Sequence, residues 1–127
     1  MTDKELFLQI KTHLLTQGKQ CIATYKDSLT DREVTSCAYR SPEGLKCAVG
    51  CIIKDEYYTP ELEGRNVLSI TVKDAVVRSL GLEFLPNHTH EMLSSLQDLH
   101  DIASPSIWGE ELRAFEGMFN SEGSYIY

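Results

Sequence analysis

Apolar positions recur at helical spacing in four stretches of the chain and run together in a fifth. Leu6, Phe7, Ile10, Leu14 and Leu15 make the first stripe, behind a Thr2-x-x-Glu5 capping box and ahead of Gly18, and predict a helix over residues 3–17. A second stripe, with Ala75, Val76 and Leu80 on one face, follows Thr71-x-x-Asp74 and stops at Gly81, which predicts a helix over residues 72–80. Met92, Leu93, Leu96, Leu99 and Ala103 define a third helix over residues 89–103. Trp108, Leu112, Phe115 and Phe119 define a fourth over residues 105–119, entered through Ser104-Pro105 as N-cap and first helical residue. The tail, residues 120–127, ends in Tyr-Ile-Tyr and is apolar enough to dock on the body or on a second subunit.

Residues 37–64 follow a different pattern. Ser41-Pro42-Glu43-Gly44 fits a type I turn, with proline fixing φ at the second position and glycine at a left-handed close. Its flanks predict a short hairpin, Cys37–Arg40 against Leu45–Cys47. The following apolar run, Cys47 to Ile53, is too short for periodicity to separate strand from helix, and its continuity favours a short helix. Ala48 and Gly50 are small enough to admit a second backbone at close range. Residues 54–64 read as an acidic loop punctuated by Pro60 and Gly64. Residues 19–36 are mixed: 19–25 suit either a short helix or a strand, and Thr30-x-x-Glu33 is a weaker capping pattern. With no repeat or linker, residues 1–127 read as one domain of class α+β, mainly helical, with a short β-hairpin around residues 37–48.

Charge narrows the function classes. The 127 residues carry a formal net charge of −7, which disfavours bulk nucleic acid and anionic membranes as partners, and no apolar run is long enough to span a bilayer. The acidic, amphipathic start is unlike a signal peptide, and four cysteines without an export signal are simplest as reduced thiols in a cytoplasm.

No complete catalytic, metal or cofactor motif is present. Cys37, Cys47 and Cys51, with Cys21, have no zinc-knuckle spacing and suit small buried hydrophobes. His88, His90 and Glu91 lie too far along their helix from His100 and Asp101 for one site, although His100-Asp101 matches half of a metal phosphohydrolase pattern. Asp55, Glu56, Glu61 and Glu63 lack a calcium-loop spacing and suit a solvated loop. The strongest binding candidate is the turn itself. Arg40 and Lys46 flank it, Gly44 closes it, and Tyr39 and Tyr58 supply stacking surface, which together suit a phosphate and a base. The competing reading pairs Arg40 and Lys46 with Asp55, Glu56 or Glu63.

The string Cys37-Ala-Tyr-Arg40-x-Pro42-x-Gly44-x-Lys46-Cys47-Ala-Val-Gly-Cys51, followed by Asp55-x-x-Tyr58 and Glu63-Gly64, resembles a family of small bacteriophage and prophage proteins. Leu96-Gln97-x-x-His100-Asp101 and Trp108 extend the resemblance, which covers residues 37–119. It implies a phage-type accessory protein in the cytoplasm of a bacterial host, countering a host function or defence by binding. The expected activity is non-enzymatic: sequestering a small anionic nucleotide signal, or binding a host protein, with no cofactor or metal. The alternatives are a small metal-dependent hydrolase using His100 and Asp101, and a structural oligomer.

Overall fold

The computed structural model describes residues 1–26 and 29–126, with Tyr25 described by its backbone alone. Helix α1, Asp3–Gln17, starts at the expected capping box: Glu5 N–H donates to Thr2 Oγ1 at 3.1 Å and Thr2 N–H to Glu5 Oε1 at 2.9 Å. It ends where Gly18, at φ 65°, returns its N–H to Leu14 O. Leu6, Phe7, Ile10 and Leu14 form its buried face, whereas Leu15 stays in solvent.

The mixed segment is a β-hairpin. Strands β1, Ile22–Lys26, and β2, Glu33–Cys37, pair antiparallel with Ile22 opposite Cys37 and Lys26 opposite Glu33. The Thr30-x-x-Glu33 pattern therefore starts no helix: Glu33 opens a strand, and part of the connection before it, Asp27 and Ser28, lies outside the described residues. Both strands alternate exposed with partly covered positions, but neither has a fully buried face: Ile22 is exposed, and Ala23 and Val34 are only partly covered. Cross-strand pairs such as Thr24 Oγ1 with Thr35 Oγ1, at 2.8 Å, supply its side-chain contacts.

The hairpin expected around residues 37–48 follows directly and is short. Arg40 and Lys46 form a single antiparallel bridge, Ser41 N–H bonds Leu45 O, and Cys47 N–H bonds Tyr39 O. Gly44 closes the turn at φ 87°, as the Ser-Pro-Glu-Gly pattern predicts. Three single turns of 3-10 helix then carry the chain across the core: Gly50–Ile52, Asp55–Tyr57 and Pro60–Leu62.

Helix α2, Ile70–Leu80, is capped by Ser69, whose Oγ accepts from Val72 N–H at 3.2 Å; Thr71 lies inside the helix. Helix α3 spans Asn87–Ile102, and α4, Trp108–Phe115, follows a 3-10 turn at Pro105–Ile107. Among the described residues the architecture is thus mainly helical α+β, and no helix is long and apolar enough to cross a membrane.

The fourth helix is shorter than its apolar stripe suggests. It stops at Phe115, and Phe119 instead pairs with Tyr125 across the returning tail. Trp108 and Leu112 are fully buried. Phe115 and Phe119 are partly buried and pack on α1 and the tail: Phe7 lies 5.8 Å from Phe115 and 5.3 Å from Phe119, and Tyr125 lies about 6 Å from both, ring centre to ring centre. The tail docks on the body, with Asp3 as its clasp. The Asp3 carboxylate is buried and accepts from Tyr125 N–H at 2.9 Å and from the Thr89 hydroxyl at 2.6 Å, with His88 Nδ1 against its second oxygen. The last tyrosine, Tyr127, lies outside the described residues. Phe115→Ala is expected to lower stability by about 2–3 kcal/mol, under the ~3–5 kcal/mol of a fully buried ring. Thermal melting reads this directly, and an unchanged midpoint would remove Phe115 from the α1–α4–tail seam.

Candidate functional site

The expected anion site lies around the turn at Ser41–Gly44, and the backbone donors just before the turn are already occupied. Two consecutive backbone N–H groups, of Tyr39 and Arg40, point to one carboxylate, Glu63, at 2.8 and 3.1 Å. The Tyr58 hydroxyl donates to the same carboxylate at 2.6 Å. The anion in the nest is therefore the chain's own. Burial first, then the Glu63 bond, pushes the Tyr58 phenol well above its ordinary range.

Arg40 is committed in the same way. Its guanidinium donates to Ile53 O at 2.8 Å, pairs with Asp55 at 2.8 Å, and lies 4.5 Å above the Tyr58 ring. Tyr39 is buried, and its hydroxyl donates to Arg65 O at 2.6 Å. Arg40, Tyr39, Tyr58 and Glu63 thus form a brace that ties the turn to residues 53–65. The pairing of Arg40 with the acidic loop, read from the sequence as the alternative to ligand binding, is what the geometry contains. Gly44 sits at the turn's tip with no atom near its α-carbon's missing substituent.

The Lys46 side chain takes no part in this brace, although the two adjoin. It lines a cleft of about 480 Å³ with Lys54, Gln9, Ile52, Leu80 and the Arg40 partner Asp55. Neither lysine is in an ion pair among the described residues. Lys54 was not singled out in the sequence; it reaches this wall because its N–H is held by Ser79 Oγ at 2.9 Å, at the end of α2. Cys51 lies in the same cleft, its thiol pushed up to about 12 by burial, with the Lys46 charge pulling the other way.

The thiols are uniformly poor nucleophiles. Cys47 is fully buried and accepts from Gly50 N–H, and burial raises its thiol far above the usual value. Burial likewise lifts Cys21 and Cys37 to about 11. Cys51 is less enclosed than its place in an apolar run suggests, being only partly buried.

His100, Asp101 and Cys37 do converge, with one ligand atom from each within 4.8 Å of the others. The hydrogen bonds at His100 argue against metal there. Cys21 N–H can only donate, so His100 Nε2 accepts from it at 2.9 Å and Nδ1 carries the hydrogen, given to Asp101 Oδ1 at 2.7 Å. A metal on Nδ1 would move that hydrogen to Nε2 and set two N–H donors face to face. The same commitment leaves no imidazole nitrogen to take a proton from Cys37. His100 is fully buried against Trp108, with ring centres 5.5 Å apart. Its role here is to orient Asp101, an arrangement that does not favour the hydrolase reading. His90 lies apart from this group: it is buried, and its Nε2 has no hydrogen-bond partner among the described residues.

The chain matches no protein-family model, no curated protein and no solved structure.

Proposed function

We propose that this chain is a non-enzymatic accessory binding protein that takes up a small anionic ligand of the nucleotide class in the cleft lined by Lys46 and Lys54. One observation carries the reading: Lys46 and Lys54, neither in an ion pair among the described residues, share one concave wall whose single carboxylate, Asp55, is taken by Arg40, in a protein of net charge −7. Ile52 and Leu80 give the cleft an apolar wall on which a base can lie. The resemblance to small phage proteins supports a setting in an infected bacterium, where removing a nucleotide signal or occupying a host protein would counter a defence.

The test is a thermal-shift screen of linear and cyclic nucleotides, followed by calorimetric titration of any hit. Lys46→Ala and Lys54→Ala are each expected to weaken binding about tenfold or more, the value of one charge-assisted contact. Neither should shift the melting point by much. Arg40→Ala should instead lower stability through loss of the brace. Equal affinity in both lysine variants would remove this cleft from the reading, and silence from every nucleotide would shift it to a protein partner.

A further inference from the structure

One edge of β2 is open among the described residues. Ala38 N–H bonds Cys21 O, and Ile22 stands opposite Cys37. In an antiparallel ladder bonded and non-bonded pairs alternate, so the backbone groups of Val34 and Ser36 face β1 and those of Thr35 and Cys37 face away from it. Among the described residues no hydrogen bond reaches the N–H of Thr35 or of Cys37, or the Thr35 carbonyl. Cys37 O meets the Ser36 hydroxyl at a long 3.4 Å. The Cys37 thiol bonds Asp101, which leaves the backbone of Cys37 on the edge.

This edge borders a cleft of about 500 Å³. Cys37 and Ala38 line it and no residue of β1 does, so it lies on the outer side of β2. Helix α3 supplies another wall through Ser94 and Asp98, and Val67 and Leu68 add apolar surface. The next outward position of the edge is already filled from elsewhere in the chain. The Tyr39 N–H gives its hydrogen to a Glu63 carboxylate oxygen at 2.8 Å. At Thr35 and Cys37 no described segment supplies such an oxygen.

We infer that β2 takes an extended segment of a partner protein along this edge, as a third strand, with a lysine or arginine on the face turned to α3. Main-chain geometry selects the extended segment. Two alternate residues, each offering an N–H and a C=O in one direction, are matched by alternate residues of another strand and not by a small ion. Charge selects a basic partner over a second copy. Two chains of net charge −7 repel each other, whereas a basic segment is attracted. Within the cleft Asp98 and Asp101 face one guanidinium, Arg65, whose Nε–H is already given to Glu61 O. These charges tune the sequence of the segment, and the open backbone edge holds it. The site is independent of the Lys46–Lys54 reading and survives its failure.

The test is NMR titration of the isotope-labelled full chain with acetyl-Thr-Val-Lys-Val-Thr-amide. The Thr35 and Cys37 amide protons should move downfield and exchange more slowly with solvent, as amides do on joining a ladder. The same peptide with its three central nitrogens methylated should not bind, because it has lost the donors a strand needs. Glutamate in place of the lysine should weaken binding about tenfold, and Asp98→Lys, at an exposed position, should reverse that preference. Thr35→Pro should abolish binding by removing an outward N–H while leaving the ladder to β1 in place. It also removes the Thr24 contact, so the methylated peptide, which needs no variant, decides the matter where Thr35→Pro fails to fold. Lys46→Ala should change nothing. Four results would each overturn the inference: unmoved Thr35 and Cys37 amides at millimolar peptide, equal binding of the methylated peptide, equal binding of the glutamate peptide, or a concentration-dependent shift of the same amides without peptide, which would assign the edge to a second copy.

Discussion

Gly50→Ala is expected to lower the urea-unfolding midpoint further than any other single methyl addition to the chain's described glycines. A β-carbon at this position would lie 2.0 Å from Tyr39 O, 2.8 Å from its carbonyl carbon and 3.1 Å from its α-carbon, all backbone atoms. A clash with a flexible side chain relaxes cheaply, but this one meets a backbone segment held from four sides. Glu63 takes the Tyr39 N–H, Cys47 N–H donates to Tyr39 O, the Tyr39 hydroxyl is anchored to Arg65 O, and Arg40 next to it carries the brace. The cost should be about 3–5 kcal/mol, at the upper end for overpacking, against a total stability of ~5–15 kcal/mol for a domain of this kind. Gly109 supplies the control. It lies inside α4 with nothing within 4 Å of an added β-carbon, so Gly109→Ala should be neutral or stabilise by up to ~1 kcal/mol. Urea unfolding of the three proteins measures both effects. A Gly50→Ala midpoint equal to the parent's would mean that the Gly50–Tyr39 approach is not part of the folded state.

These residues also show what could be read from the sequence and what could not. The four helices were legible because each buries one stripe, and α1 and α2 add start or stop signals, as Thr2 and Gly18 do for α1 and Gly81 for α2. The close approach at Gly50 was legible as a small residue in an apolar run. The hairpin of β1 and β2 was not, since its more covered positions hold Ala23, Val34 and Ser36 while Ile22 stands in solvent, so residue type does not follow the alternation in exposure. Phe115 and Phe119 kept helical spacing past the end of α4 because both contact Phe7, although only one of them is helical. At the candidate site, the sequence grouped Arg40, Lys46, Tyr39, Tyr58 and Gly44 around an external anion, whereas the fold sets the Tyr39 and Arg40 amides and the Tyr58 hydroxyl on Glu63 and leaves Lys46 and Gly44 outside that contact. The sequence could not say which anion. Four acidic residues within nine positions look alike as letters, and only the fold turns Glu63 inward while leaving Glu56 and Glu61 in solvent.

Glu63→Ala should therefore behave as the loss of a bound ligand that the chain supplies to itself. The carboxylate accepts from two consecutive backbone N–H groups and one tyrosine hydroxyl, and removing it strands all three donors in a partly or wholly covered site. The guanidinium of Arg40, stacked on Tyr58, would keep Asp55, but Asp55 is largely exposed and its pairing is screened by solvent. The expected cost is about 3–5 kcal/mol, comparable with breaking a buried charged contact from one side. Glu63→Gln is the discriminating variant. Its single amide oxygen can accept one of the two N–H bonds, while its NH₂ faces the other donors, so most of the loss should persist. An added anion such as sulfate or acetate should then restore part of the melting temperature of Glu63→Ala, because the vacated nest still offers two N–H groups to a small acceptor. The parent, whose nest is full, should show no such anion dependence beyond the general salt effect. A Glu63→Ala protein as stable as the parent, in a buffer without such anions, would show that the nest contributes nothing to the fold and would return Tyr39, Arg40 and Tyr58 to the list of residues open to an external ligand.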